Sequence, residues 1–335
     1  MIVLFESPGL GVPAELRRSL EASGAIAEIL GFPVWAIATD GAGAAEALAA
    51  IPAQLQPTAA FWLAPPTAAF RYGELFAAAQ AKNLHLPNTP AQHQLAQEFH
   101  RAYPLLKDLT PASIVLEQPE AVEGAIAQLG LPLVFQHSGS AAVLKDRQRA
   151  LALALRSSIA KTPEQARRIA ADLFNQELNQ ELSQELSQEL SQKPHQPVLA
   201  RQWVNLRHHH TTPAGFPLGR EFRVVLYDRT ILTYGYAWPG DDPGRWLSVE
   251  EEEALFAVAF AVAERLDVPL LGVDIAQTQS GEWIALKTVD PQFVGSPQLP
   301  LVHFWQQLGI TNEMIEKRSR QVVNSADASA DLNLP

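Results

Sequence analysis

The chain has 335 residues, a net charge of −11 and a pI near 5.3. That balance argues against a general nucleic-acid or anionic-membrane surface. With no cysteine, disulfides, thiolate chemistry and cysteine-ligated zinc are excluded, and the length predicts two or three lobes rather than one core.

The opening "MIVLFESPGLG" has no basic segment and is apolar only from Ile2 to Phe5, so it does not read as a signal peptide. No stretch reaches the ~18 apolar residues that a spanning helix needs. A cytoplasmic location, with no membrane partner, is the expectation. Through residues 1–108, strand-like and helix-like segments alternate. "MIVLF", "PVWAIAT" and "AAFWLA" are apolar strands; "AELRRSLEASG", "GAGAAEALAAI" and "YGELFAAAQAKN" are helices. This alternation predicts a parallel sheet covered by helices. Gly9 and Gly11 follow the first strand without the third glycine of a dinucleotide fingerprint. "AQHQLAQEFHRAYPLLKDL" predicts one helix, followed by a stop that proline marks.

A second unit spans residues 109–204. "ASIVLE" and "LPLVFQH" are strands around the helix "PEAVEGAIAQLG", which Gly130 closes. "SGSAAVLKD" is a small polar loop, and "TPEQARRIAADLF" is a helix capped by Thr162 with Pro163 in its first turn. Leu178, Leu182, Leu186 and Leu190 then recur through Gln176–Gln192. Four residues turn a helix by about 400°, so this leucine seam drifts ~40° per repeat. It reads as a helix extension, and alternatively as a partner-binding helix.

Residues 205–321 form a third unit. "RHHHTTPAGFPLG" reads as a loop, and "REFRVVLYDRTILTYGYAW" as a hairpin turning at Asp228 and Arg229. Ser248 and Glu251 predict a capping box for the helix "SVEEEEALFAVAFAVAERLD". "PLLGVDIAQTQSGEWIALKTVD" is a second hairpin turning near Ser280 and Gly281. Residues 322–335 read as a disordered tail.

The order of pieces, with "LPLVFQHSGS", "VLARQWVNLR", "GFPLGREFRV" and "VDIAQTQSGEWIALKTVDPQ", resembles the ATP-grasp superfamily over most of the chain. The resemblance implies an α/β N-terminal domain, a central lid lobe and a C-terminal lobe with an antiparallel sheet. It also implies ATP and Mg²⁺ as cofactors, and ligation of a small-molecule or peptide carboxylate to an amine or thiol through an acyl-phosphate. Gln202, Trp203 and Val204 fall at the hinge that binds adenine. Gln136 stands where a phosphate-contacting lysine is common, and Lys145 lies in the loop that would cover the phosphates. Arg220 and Arg223 would meet phosphate or the acyl-phosphate, which suits guanidinium geometry. A surface ion pair is the plainer reading for them, as an ordinary core strand is for Trp203.

Asp274 matches a magnesium-ligand position, and hard oxygen donors suit that ion. The next strand should supply Glu-x-Asn. It carries Lys287 and Val289 instead, and neither ligates Mg²⁺. Asp290 is expected on the opposite face. A turn near Ser280 sets Asp274 opposite Ala285, with Lys287 on a diagonal, so the expectation is a lysine taking the metal's place beside Asp274. A lysine snorkelling at a sheet edge is the simpler alternative. His208, His209 and His210 are adjacent in sequence, a poor arrangement for one ion. These departures predict an ATP-binding, ligase-like protein with attenuated chemistry. The alternatives are a non-catalytic scaffold of the same fold, and a ligase that holds its metal through Asp274, Asp290 and phosphates alone.

Overall fold

The computed structural model describes residues 1–7, 14–37, 43–65, 69–137, 159–184, 197–211, 217–293 and 298–331. The N-terminal unit comprises β1 (Ile2–Glu6), α1 (Ala14–Ile29), β2 (Val34–Ile37), α2 (Ala44–Ala47), β3 (Thr58–Leu63), α3 (Ala69–Gln80) and β4 (Leu84–His85). Its strands run parallel in the order β2-β1-β3-β4. Such strands are buried on both faces and therefore nearly continuous in apolar residues. Trp62 and Leu4 face a core with Tyr72 and Leu75 of α3, while Val3 and Phe61 face the other side. The predicted second helix shrinks to the single turn of α2.

The predicted helix after this sheet is two helices, α4 (Pro90–Gln97) and α5 (Phe99–Leu106). Glu98 between them adopts φ −100° and ψ 88°, which breaks the helical ladder. Pro104 sits inside α5. The middle lobe follows: β5 (Ser113–Leu116), α6 (Val122–Leu129), β6 (Leu133–His137), β7 (Ile159–Ala160), α7 (Pro163–Gln184) and β8 (Val198–Gln202). Its strands lie antiparallel in the order β5-β8-β6-β7. Gly130 takes φ +71° at the end of α6, a conformation that favours glycine. Thr162 Oγ1 accepts from the Gln165 amide, as an N-cap does. Ser138–Lys145 lie outside the described residues, and the leucine seam is described only as helical backbone through Gln184.

The third lobe contains β9 (His208–Thr211), β10 (Pro217–Gly219), β11 (Glu221–Tyr227), β12 (Thr230–Tyr236), α8 (Val249–Leu266), β13 (Leu270–Gln277) and β14 (Trp283–Val289). The segment expected to be a loop thus supplies a strand pair, β9 with β10. The main antiparallel sheet has the order β12-β11-β13-β14. Asp228 and Arg229 form its two-residue turn at φ +47° and +59°, matching the twist of the strands they join. One face, with Phe222, Val224, Val273 and Ile275, packs on α8 and α5. On the other face Val225, Tyr227 and Leu270 meet the first sheet and α9 (Leu301–Asp331). Trp305 of α9 wedges between Phe61 and Phe32, with ring centroids 5.1 and 5.4 Å away. The backbone of α9 continues through Asp331, where the sequence suggested a tail. Among the described residues no helix is long and apolar enough to cross a membrane.

Candidate functional site

Three facing positions set the charge of the third-lobe sheet. Arg223 of β11 lies opposite Asp274 of β13, and Asp274 lies opposite Lys287 of β14. Opposed residues share a face, so all three project on the side away from Val224, Val273 and Thr288. Glu221, two residues before Arg223, joins them. Arg223 clamps Asp274 bidentately: Nε donates to Oδ1 at 2.6 Å and Nη2 to Oδ2 at 2.8 Å. Such forks are among the strongest polar contacts. Burial works against the Arg223 charge, but the Asp274 charge and hydrogen bonds outweigh it and raise its pKa.

Lys287 is half-buried beside this pair. Burial lowers its pKa, Asp274 opposes that shift and Arg223 adds to it. Burial, then the Asp274 charge, pushes the Glu221 carboxyl up to about 8. At neutral pH the Glu221 carboxyl is therefore protonated, and Arg223 and Lys287 are the two basic side chains beside Asp274. Val289 sits opposite Gly272, whose absent side chain leaves room for it: a Cβ there would meet Val289 Cγ2 at 2.7 Å.

The expected position of Lys287 needs correction. It stands directly across from Asp274 rather than on a diagonal: the ladder near the turn pairs Ala285 with Ile275 instead of Asp274, and β14 then holds one extra residue at Leu286. Asp274 is paired by Arg223, a partner the sequence reading did not assign to it. Asp290 turns away from this cluster, as expected from alternation. It is fully buried, and its carboxylate accepts from Asn88 Nδ2 at 2.9 Å and from the Gln292 amide and Nε2 at 3.1 to 3.2 Å. His93 Nδ1 lies 2.9 Å from the same carboxylate, and its ring stacks on Tyr72 at 4.0 Å. This network ties the N-terminal unit to the third lobe.

Arg220 is placed differently from Arg223. It is 4 % exposed. Nε donates to the Gly244 carbonyl at 2.8 Å. Nη1 donates to Glu251 Oε1 and Gln277 Oε1 at 2.5 and 2.6 Å. Nη2 donates to the Trp246 carbonyl and Glu251 Oε2 at 2.6 and 2.8 Å. All five N–H groups of a guanidinium are thereby engaged. Glu251 also completes the predicted capping box with Ser248, so Arg220 fastens the start of α8 to the sheet.

At the end of β8, the Gln202 amide donates to the Ala112 carbonyl at 2.8 Å and the Trp203 amide to the Pro132 carbonyl at 3.1 Å. Trp203 Nε1 donates to Asn205 Oδ1 at 2.8 Å. Trp203, Asn205, Leu206, His208, Pro217 and Gln279 line an open recess of about 290 Å³, next to Val204. Gln136 lies opposite Leu199, on the face of the middle-lobe sheet turned toward α5. Lys145 is outside the described residues. His208, His209 and His210 are all exposed, with His210 3.9 Å from Asp242. No group of three potential metal-ligating side chains occurs among the described residues.

The sequence reading missed Arg201, a buried arginine in β8 that reaches β14. Its signal was faint: a charged residue at an inward position of the strand "VLARQ".

No protein-family model and no curated protein matches the chain. Solved structures match in fold. A D-alanine–D-alanine ligase from Bacillus anthracis gives a TM-score of 0.58 at 11 % identity, over 95 % of this chain and 98 % of the ligase. The D-cycloserine synthetase DcsG gives 0.54 at 12 % identity, over 92 % and 98 % of the two chains. An ADP complex of N5-carboxyaminoimidazole ribonucleotide synthetase gives 0.54 at 12 % identity, over 86 % and 69 %.

Proposed function

The chain has the ATP-grasp fold, and we propose that it binds ATP between the lid and third-lobe sheets without relying on magnesium, with ligase chemistry attenuated. The observation that carries this is the row Arg223–Asp274–Lys287. A magnesium site needs carboxylate oxygens free to ligate. Here both Asp274 oxygens accept from Arg223, an ammonium-bearing residue stands on the other side, and Val289 offers no donor atom. The donor set does not fit Mg²⁺. It does fit phosphate oxygens, which favour guanidinium and ammonium donors.

For the nucleotide, the residues present supply three things. Arg223 and Lys287 would hold phosphate oxygens. The backbone at Gln202–Val204 and the Trp203 wall would hold the base. Gln136 would give a neutral amide donor where a cation is common, and Lys145 would contribute a cation from the lid loop. ATP, when bound, supplies a transferable phosphoryl group. Phosphoryl transfer depends on positioning and charge neutralisation, and each ~1.4 kcal/mol of lost neutralisation slows a reaction tenfold. Arg220 would position the wall of the site through Glu251 and Gln277 rather than touch the ligand. A carboxylate substrate and an amine acceptor are the reactant classes this reading implies.

The test is ATP titration calorimetry on Lys287→Met in buffer containing a chelator. Loss of one charge-assisted hydrogen bond to phosphate should weaken binding about tenfold or more. Wild-type affinity in this variant would refute the role given to Lys287. Absence of ATP binding in the wild type would leave the scaffold reading in its place.

A further inference from the structure

β13 and β14 pair in two registers. Ile275, Ala276 and Gln277 face Ala285, Ile284 and Trp283, whereas Asp274, Val273 and Gly272 face Lys287, Thr288 and Val289. Leu286 is therefore one residue in excess, a β-bulge. An unbroken ladder continuing from Ala285 would set Leu286 against Asp274 and Lys287 against Val273. Val273 belongs to the apolar core, so a one-residue slip would aim the lysine inward. The bulge keeps Ala285 in the core and Lys287 in the charged row.

We propose that Arg201 is the positioning residue that holds this bulge and thereby fixes Lys287 opposite Asp274. Arg201 Nη1 donates to the Leu286 carbonyl at 2.6 Å, at the residue that is in excess. Its other donors anchor it in the lid lobe: Nε to Ser113 Oγ at 3.2 Å and Nη2 to Thr110 Oγ1 at 2.6 Å. The guanidinium lies 4.8 Å from the Phe99 ring centroid. One residue before the bulge, the Ala285 amide donates to the Leu109 carbonyl at 2.8 Å. The backbone groups that β14 turns outward at the bulge are thus received by the lid lobe.

Arg201 is 6 % exposed, and its hydrogen-bond acceptors here are two hydroxyls and a carbonyl. An apolar side chain would fill this space without the cost of burying a charge. What the guanidinium adds is a rigid fork that spans three acceptors on two lobes. The geometry is independent of any ligand; its functional meaning rests on the nucleotide reading above.

The test is a double-mutant cycle on ATP affinity without magnesium, joined to crystal structures of the variants. Arg201→Met should weaken ATP about tenfold, as Lys287→Met does, and the double variant should bind no more weakly than either single one. Arg201→Lys, which keeps the charge but loses the planar fork, should leave affinity between that of Arg201→Met and the wild type. The Arg201→Met structure should show the β13–β14 register changed at Leu286. Wild-type affinity in Arg201→Met, losses that multiply in the double variant, or an undisturbed bulge would each overturn the proposal. If Arg201→Met does not fold, Arg201→Gln enters the same cycle under the same criteria. If wild-type protein binds no ATP, the nucleotide reading fails, and the register in the variant structure still decides the role of Arg201.

Discussion

Replacing Arg220 by methionine separates a structural arginine from a ligand-binding one. The side chain is buried and makes five hydrogen bonds, two of them to the Glu251 carboxylate. Removing one member of a buried ion pair costs about 3–5 kcal/mol, because the other is left without its partner. The Glu251 side chain keeps 27 % exposure and can rehydrate, which places the expected loss near the lower end, ~3 kcal/mol. For a chain of 335 residues, at about 2.1 cal/mol/K of unfolding entropy per residue, that lowers Tm by roughly 4 °C. The pH dependence gives a second signature. Hydrogen bonding from Arg220 holds the Glu251 carboxyl at about 2 against an ordinary 4.5. A depressed carboxyl contributes stability above its unfolded pKa, and that contribution is lost as pH falls from about 4.5 toward 2. Arg220→Met should flatten this acid-side slope. Thermal and urea unfolding at several pH values measure both effects, with ATP affinity followed in parallel at neutral pH. A variant that keeps wild-type stability and its acid slope but loses ATP binding would refute the clamp, and show that Arg220 meets the ligand.

Glu221 has the opposite sign. Its carboxyl is raised to about 8, so the folded state holds a proton that the unfolded state has released. Stability should fall as pH rises from about 4.5 toward 8, at up to ~1.4 kcal/mol per pH unit, and Glu221→Gln should remove that slope in urea titrations. Asp290→Ala strips an acceptor from Asn88, Gln292 and the facing His93 ring nitrogen inside a buried junction. It should cost about 3–5 kcal/mol in unfolding experiments, with a loss below ~1 kcal/mol counting against a latch between the N-terminal unit and the third lobe.

Local signals were legible in the sequence where a few neighbouring residues decide the outcome. The turn at Asp228–Arg229, the cap at Ser248 and the stop at Gly130 are of this kind, and each is present. The alternation of the first 108 residues led to the parallel sheet for the same reason. What stayed hidden depends on residues distant in the chain. The break at Glu98 has no proline or glycine to announce it. The bulge at Leu286 is held by Arg201, 85 residues earlier, and the expected pairing of Asp274 with Ala285 falls two residues short of the observed one with Lys287. Arg220 looked like a phosphate ligand because its acceptors, Gly244, Trp246, Glu251 and Gln277, lie 24 to 57 residues away. Arg223, three positions on, shares its sequence context but projects into the charged row. One motif thus yields a clamp and a member of the candidate site.

On the proposed function, the Arg223–Asp274–Lys287 row takes phosphate oxygens in place of a magnesium-dependent site. Calorimetric titration of wild-type protein with ATP, once with excess Mg²⁺ and once with chelator, tests it most directly. The account predicts binding in both buffers, with dissociation constants within about threefold of each other, and a dependence on Mg²⁺ appearing only when Lys287→Glu and Val289→Asn restore oxygen donors. Wild-type binding that strengthens tenfold or more with Mg²⁺ would contradict it.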